Sequence, residues 1–114
     1  MAGRSIDSNT LPWNPHRDFE NVRIKTLETR ASHPGISLHI MRIDIGAEMT
    51  SHTHGKEIET LYITSGRGIL TMGHAQAACS EGFCASIPPG TVHALRNIGD
   101  TPLDLVAVFN PPLD

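Results

Sequence analysis

The sequence predicts a single all-β domain of the sandwich or barrel type, and three observations carry that expectation. About nine short extended segments follow one another, with turn signals roughly every 8–12 residues. No window of helical length sustains a 3.6-residue period free of Gly or Pro. The 114 residues suffice for one hydrophobic core and not for two.

The elements follow in order. Residues 1–20 carry Pro12, Trp13, Pro15 and Phe19 with little periodicity, so they read as an N-terminal arm anchored by Trp13 and Phe19; residues 21–114 read as the barrel. From Val22 to Leu27 apolar and polar residues alternate, as on a half-buried strand. Gly35 leads into a β-branched run from Ile36 to Ile45, whose parity shifts near Met41 and predicts a bulge or a change of face. Gly46-Ala47-Glu48 reads as a turn, and His52-Thr53-His54 as part of the next strand. Ile58 to Thr64 is broken by Ser65-Gly66-Arg67-Gly68. Ile69 to Met72 and Ala75 to Cys79 make a hairpin around Gly73-His74. Beyond Ser80-Glu81-Gly82 come Phe83 to Ile87, ended by Pro88-Pro89-Gly90, and then Val92 to Asn97. Gly99-Asp100-Thr101-Pro102 turns into the last strand, Leu103 to Phe109.

Composition excludes several function classes. Hydrophobic residues are 39% and charged residues 18%, which fits neither a disordered tail nor a membrane protein. No apolar run approaches the ~18 residues a bilayer requires. The stretch from Met1 to Asp7 lacks the apolar segment of a secretory signal, so a cytoplasmic location is expected. Net charge is −3 and Lys occurs only at 25 and 56, which offers no nucleic-acid footprint. Cys79 and Cys84 fit neither a redox pair nor a zinc knuckle, and read as reduced thiols. What does stand out is seven His.

Four side chains point to a metal. Residues two apart on a strand face the same way, so His52 and His54 can reach one point together. Glu59 on the following strand can add an oxygen, and His93 lies just past Pro88-Pro89-Gly90. Three imidazoles and a carboxylate suit one divalent transition ion, whether Fe, Mn, Ni, Co or Zn.

The spacing of these residues resembles the cupin superfamily, specifically a small single-domain cupin with one conserved barrel. Gly46, five residues, His52-Thr53-His54, four residues, Glu59, six residues and Gly66 resemble its first motif. Gly82, five residues, Pro88-Pro89-Gly90, two residues, His93, three residues and Asn97 resemble its second. The resemblance implies a double-stranded β-helix, or jelly-roll barrel, with His52, His54, Glu59 and His93 as metal ligands and positions left open for water, O₂ or substrate. It also implies turns at Gly46 and Gly66, a tight turn at Pro88-Pro89-Gly90 that delivers His93, and a structural Asn97.

Strand parity adds expectations for the rest of the pocket. Leu61 and Ile63 share a face with Glu59, Leu95 shares one with His93, and Met41, Ile43 and Phe109 are expected neighbours on adjacent strands. Such an apolar wall describes a small-molecule site and a barrel core equally well. Arg67 and Arg96 point outward or sit in a turn, Glu57 is a solvated neighbour of Glu59, and Tyr62 has the parity opposite to Glu59. His74, at a hairpin tip, reads as surface, as do His16 and His33 beside Pro15 and Pro34. His39 is left open between core and cavity.

The function expected is a metal-dependent enzyme acting on a small oxygenated molecule, with a dioxygenase leading and an isomerase, lyase or decarboxylase as the alternative. With no second acid–base pair in the sequence, proton transfer would fall to metal-bound water or to Glu59. A non-enzymatic ligand-binding or sensing barrel is the alternative from another class. A homodimer is expected, since a small barrel has edge strands to cover.

Overall fold

The computed structural model describes residues 3–114; Met1 and Ala2, the start of the expected arm, lie outside the described residues. Numbered along the chain, the strands are β1 (Asn14–Pro15), β2 (Val22–Glu28), β3 (Ser37–Ile43), β4 (Glu48–His52), β5 (Ile58–Ser65), β6 (Arg67–Met72), β7 (Ala75–Ser80), β8 (Cys84–Ile87), β9 (His93–Asn97) and β10 (Leu103–Asn110). They form two antiparallel sheets, β1-β2-β3-β10-β5-β8 and β4-β9-β6-β7, which together make the jelly-roll barrel. The core lies between the sheets. Ile43, Ile63, Leu103 and Leu105 are completely buried there, together with Leu61, Leu70, Ile87 and Leu95. Period-2 alternation places them: inward residues on β3 and β10 alternate without a break with half-buried outward ones.

Several boundaries differ from the sequence expectation, each for a physical reason. The expected bulge near Met41 is absent, because Ser37, His39, Met41 and Ile43 all face inward and β3 pairs with β10 in one unbroken register. Leu38 and Ile40 are simply half-buried on the outer face, and Ile45 lies beyond the strand in the turn. Register slips instead in β2, between Thr26 and Glu28. The turn at Gly46 is shorter than expected, since Glu48 already belongs to β4. Between β5 and β6 only Gly66 remains outside the strands. Its φ of +92° and the Pro102 carbonyl oxygen, 2.5 Å from where a Cβ would stand, leave room for glycine alone.

The arm joins the barrel at both of its aromatic residues. β1 pairs with β2 at the edge of the larger sheet. The Trp13 ring lies against the Lys25 ammonium (4.7 Å) and the Arg42 guanidinium (4.9 Å), while Lys25 donates to the Ser8 carbonyl at 2.8 Å. Phe19 packs against the core. Asn97 is structural: its amide donates to the carbonyls of Ile43 and Thr101 and accepts from Gly99 N–H, pinning the end of β9 to two turns. Both cysteines are free, Cys79 buried and Cys84 exposed.

Candidate metal centre

His52, the last residue of β4, pairs with His93, the first residue of β9. Glu59 projects from β5 in the facing sheet, where it is flanked by Phe109 and Ile87. His54 is not on β4 as expected. β4 slips register between Met49 and His52 and ends at His52, so His54 sits in the loop crossing to β5. That loop is tied to the turn before His93, because Gly90 N–H donates to the His54 carbonyl at 2.8 Å. The Pro88-Pro89-Gly90 turn therefore positions two residues of the cluster, His93 through the chain and His54 through this hydrogen bond.

The four side chains converge, with one ligand atom from each lying within 4.8 Å of the others. Bonds of ~2.2 Å would place opposite ligands ~4.4 Å apart, so small side-chain rotations close the set around an ion. The hydrogen bonds indicate which nitrogens would coordinate. His52 Nδ1 lies 2.7 Å from the Thr50 carbonyl and His93 Nδ1 lies 2.9 Å from the Thr91 carbonyl. A carbonyl only accepts, so each Nδ1 carries a proton, and each ring in its neutral form turns the lone pair of Nε2 inward. His93 Nε2 then stands 3.1 Å from a Glu59 oxygen. His54 Nε2 is 3.5 Å from the same oxygen, buried and without an aligned hydrogen bond. Lone pairs aimed at a carboxylate repel unless a proton or a metal cation lies between them, so these residues fit a divalent ion.

The electrostatics agree. Burial pushes the Glu59 carboxyl up, but its contacts with His54 and His93 more than reverse this and hold it at about 2. Burial likewise pushes His93 down, and the Glu59 carboxylate and Thr91 carbonyl lift it above the ordinary imidazole value. His52 is lowered, because burial outweighs its bond to Thr50. A metal would take over the role that a shared proton plays between Glu59 and His93.

The cluster opens onto a cavity of about 460 Å³, within the size range of small-molecule sites. Met41 and Phe109 line it, as parity suggested. Ile43, Leu61, Ile63 and Leu95 do not; each is at most 2% exposed and belongs to the core. Parity fixes a residue's face and not its depth along the barrel, and the cavity occupies only the end where the ligands lie. Arg67, Arg96, Glu57 and Tyr62 are not among the cavity residues, and Tyr62 is 47% exposed on the outer face.

His16 corrects the surface reading. Pairing of β1 with β2 brings it to the cavity, where Phe19 sits between it (4.8 Å) and His52 (5.0 Å). His39 resolves to a cavity-lining position at 1% exposure. Leu113 and Asp114, after β10, also reach the wall. No spacing in the sequence signals these residues, since long-range packing alone brings them together.

Comparison with known proteins agrees with this geometry. The family described as a cupin domain matches residues 39–109, which include all four candidate ligands. An uncharacterized protein of Methanocaldococcus jannaschii is 33% identical over 86 residues, covering 70% of this chain and 69% of its own. The structure of KdgF from a Halomonas species superposes with a TM-score of 0.89 at 18% identity, covering 99% of this chain and 97% of that one. The oxalate decarboxylase of Lactobacillus farciminis, solved as a formate complex, gives a TM-score of 0.77 at 26% identity, over 89% of this chain and 32% of that one. The match runs through both ligand-bearing segments, the likeness to solved structures spans the whole barrel, and the chain belongs to the cupin family.

Proposed function

We propose that this protein is a metal-dependent enzyme that takes a small, oxygen-rich molecule into the cavity and binds it beside the cluster of His52, His54, Glu59 and His93. The observation that carries the reading is the convergence of three inward-turned imidazoles on one buried carboxylate at a small-molecule cavity. Thr50 and Thr91 orient two of the rings from behind, Gly90 holds the His54 loop, and Met41 and Phe109 provide an apolar wall that limits water. A divalent ion held there would supply Lewis acidity toward substrate oxygens and, if redox-active, a site for O₂. Glu59 is the acidic side chain within the cluster itself, where it would serve as a carboxylate ligand.

The likeness to an oxalate decarboxylase supports a carboxylate or carbonyl substrate. Oxygen uptake separates the reaction types. Consumption matched to substrate marks a dioxygenase, whereas turnover without net uptake marks an isomerase, lyase or decarboxylase. The first test is metal content per chain in protein purified without chelator, repeated in His93→Ala. Stoichiometric metal lost in the variant supports the reading. Protein that neither carries metal nor binds added divalent ions would overturn it and leave a ligand-binding barrel.

A homodimer belongs to the same reading, supported by edge strands at β7 and β8 with one side unpaired in the chain. A 12.4 kDa species at micromolar concentration in sedimentation would refute it. Among the described residues no helix is long and apolar enough to cross a membrane. The two free cysteines support a cytoplasmic location.

A further inference from the structure

His39 is a buried polar group that the metal cluster does not use. It lines the cavity from β3 and is 1% exposed. Its Nδ1 lies 3.0 Å from the Thr26 hydroxyl. Its Nε2 has no aligned hydrogen-bond partner. Asp114 Oδ2 lies 3.2 Å from it, close enough for an ion pair yet misaligned for a hydrogen bond. Burying a nitrogen without an aligned partner is unfavourable, a cost that a ligand can remove.

A carboxylate facing Nε2 favours the tautomer with the proton on that nitrogen, and the Thr26 hydroxyl then donates to Nδ1. Burial lowers the ring's pKa, outweighing the attraction of Asp114 and Glu59, so the ring is neutral at physiological pH. It therefore offers one N–H donor into the cavity. Phe109 lies edge-on between this donor and the metal cluster, 5.7 Å from His39 and 5.0 Å from His54. A molecule touching both points must reach past one aromatic ring.

We propose that His39 Nε2–H is a second recognition point of the cavity, taking a carboxylate of a bifunctional ligand whose other end binds at the His52, His54, Glu59 and His93 cluster. The Asp114 carboxylate, which the chain itself places against Nε2, shows which group fits and is the group such a ligand displaces. The inference rests on the proposed binding of small oxygenated molecules at that cluster, and it deepens that reading by naming the substrate class as dicarboxylate-like.

The test uses Co(II)-loaded full-length protein titrated with acetate and with succinate. Visible absorption reports the metal, and histidine-selective ¹H–¹⁵N spectra report the His39 ring. Succinate is expected to bind about tenfold tighter than acetate, a difference worth ~1.4 kcal/mol, and to shift the His39 Nε2 resonance. His39→Leu should reduce that preference to within about twofold while Co(II) binding is unchanged, His39→Gln should restore part of it, and Asp114→Asn should strengthen succinate binding. An unmoved His39 resonance, or a preference that survives in His39→Leu, overturns the inference even if that variant's stability has changed. Co(II) bound with neither anion binding also overturns it and leaves the metal centre standing. Protein that takes up no Co(II), yet whose His39 resonance moves with succinate, supports the inference and defeats the metal reading.

Discussion

Replacing Asn97 probes the joint that holds the His93 strand in place. The side chain is 4% exposed. Its Nδ2 donates to the carbonyls of Ile43 (3.0 Å), Asp44 (3.3 Å) and Thr101 (2.9 Å), and its Oδ1 accepts from Gly99 N–H at 2.8 Å. Three of these bonds are short, and each contributes a net ~1 kcal/mol, so Asn97→Ala should cost about 3 kcal/mol. That is a large share of the roughly 5–15 kcal/mol by which a domain is stable. Asn97→Asp is the sharper variant, because it keeps shape and the acceptor for Gly99 while turning a carboxylate oxygen toward three carbonyls. It should cost about 1 kcal/mol more than Asn97→Ala at neutral pH. Urea unfolding of metal-free protein, followed by far-UV circular dichroism with the slope held in view, measures both. Asn97→Asp as stable as Asn97→Ala, or either variant within about 1 kcal/mol of the parent, would refute the reasoning.

His93→Ala should weaken divalent-metal binding by more than the ~100-fold that loss of an outer partner brings, while the circular dichroism of the metal-free barrel stays unchanged; calorimetric titration checks the first and spectra the second. Gly66→Ala should destabilise by about 3 kcal/mol or more, because strain at positive φ adds to a Cβ 2.5 Å from the Pro102 oxygen. Gly90→Ala, at φ +80° with open space around it, should cost only about 1–2 kcal/mol in the same denaturation assay. Trp13→Ala removes an aromatic face from Lys25 and Arg42 and should lower stability by about 1–2 kcal/mol. Phe19→Ala should speed chelator-driven metal release by opening the cavity beside His52, with affinity held because the Thr50 carbonyl still orients that ring.

The fold and the four-residue cluster are legible for one reason: their information is local or repeats at short spacing. Alternation survives in β3 and β10, so strand identity could be read even where an apolar outer face mimicked a bulge at Met41. His52, His54, Glu59 and His93 stand within two short segments whose glycines and prolines shape the turns between them. The cavity wall carries no such signature. Reading Leu61, Ile63 and Leu95 as wall required depth along the barrel, and parity supplies only a face.

The wall residues without a local signature arrive from elsewhere: His16, read as surface, and Phe19, read only as an anchor of the arm, come through β1 pairing, His39, left open between core and cavity, comes from β3, and Asp114 comes from the segment after β10. This division has a chemical consequence. The three imidazoles of the cluster are held by backbone contacts at Thr50, Thr91 and Gly90, none of which involves the arm or the segment after β10. Much of the cavity wall comes from those two segments and β3, joined by Ile24, Met49 and Phe109. Substitution at His16, His39 or Asp114 can therefore change what enters the cavity while the geometry at His52 and His93 stays the same. In the proposed reading, what the cavity admits is separable from what the cluster holds, because different parts of the chain keep each in place.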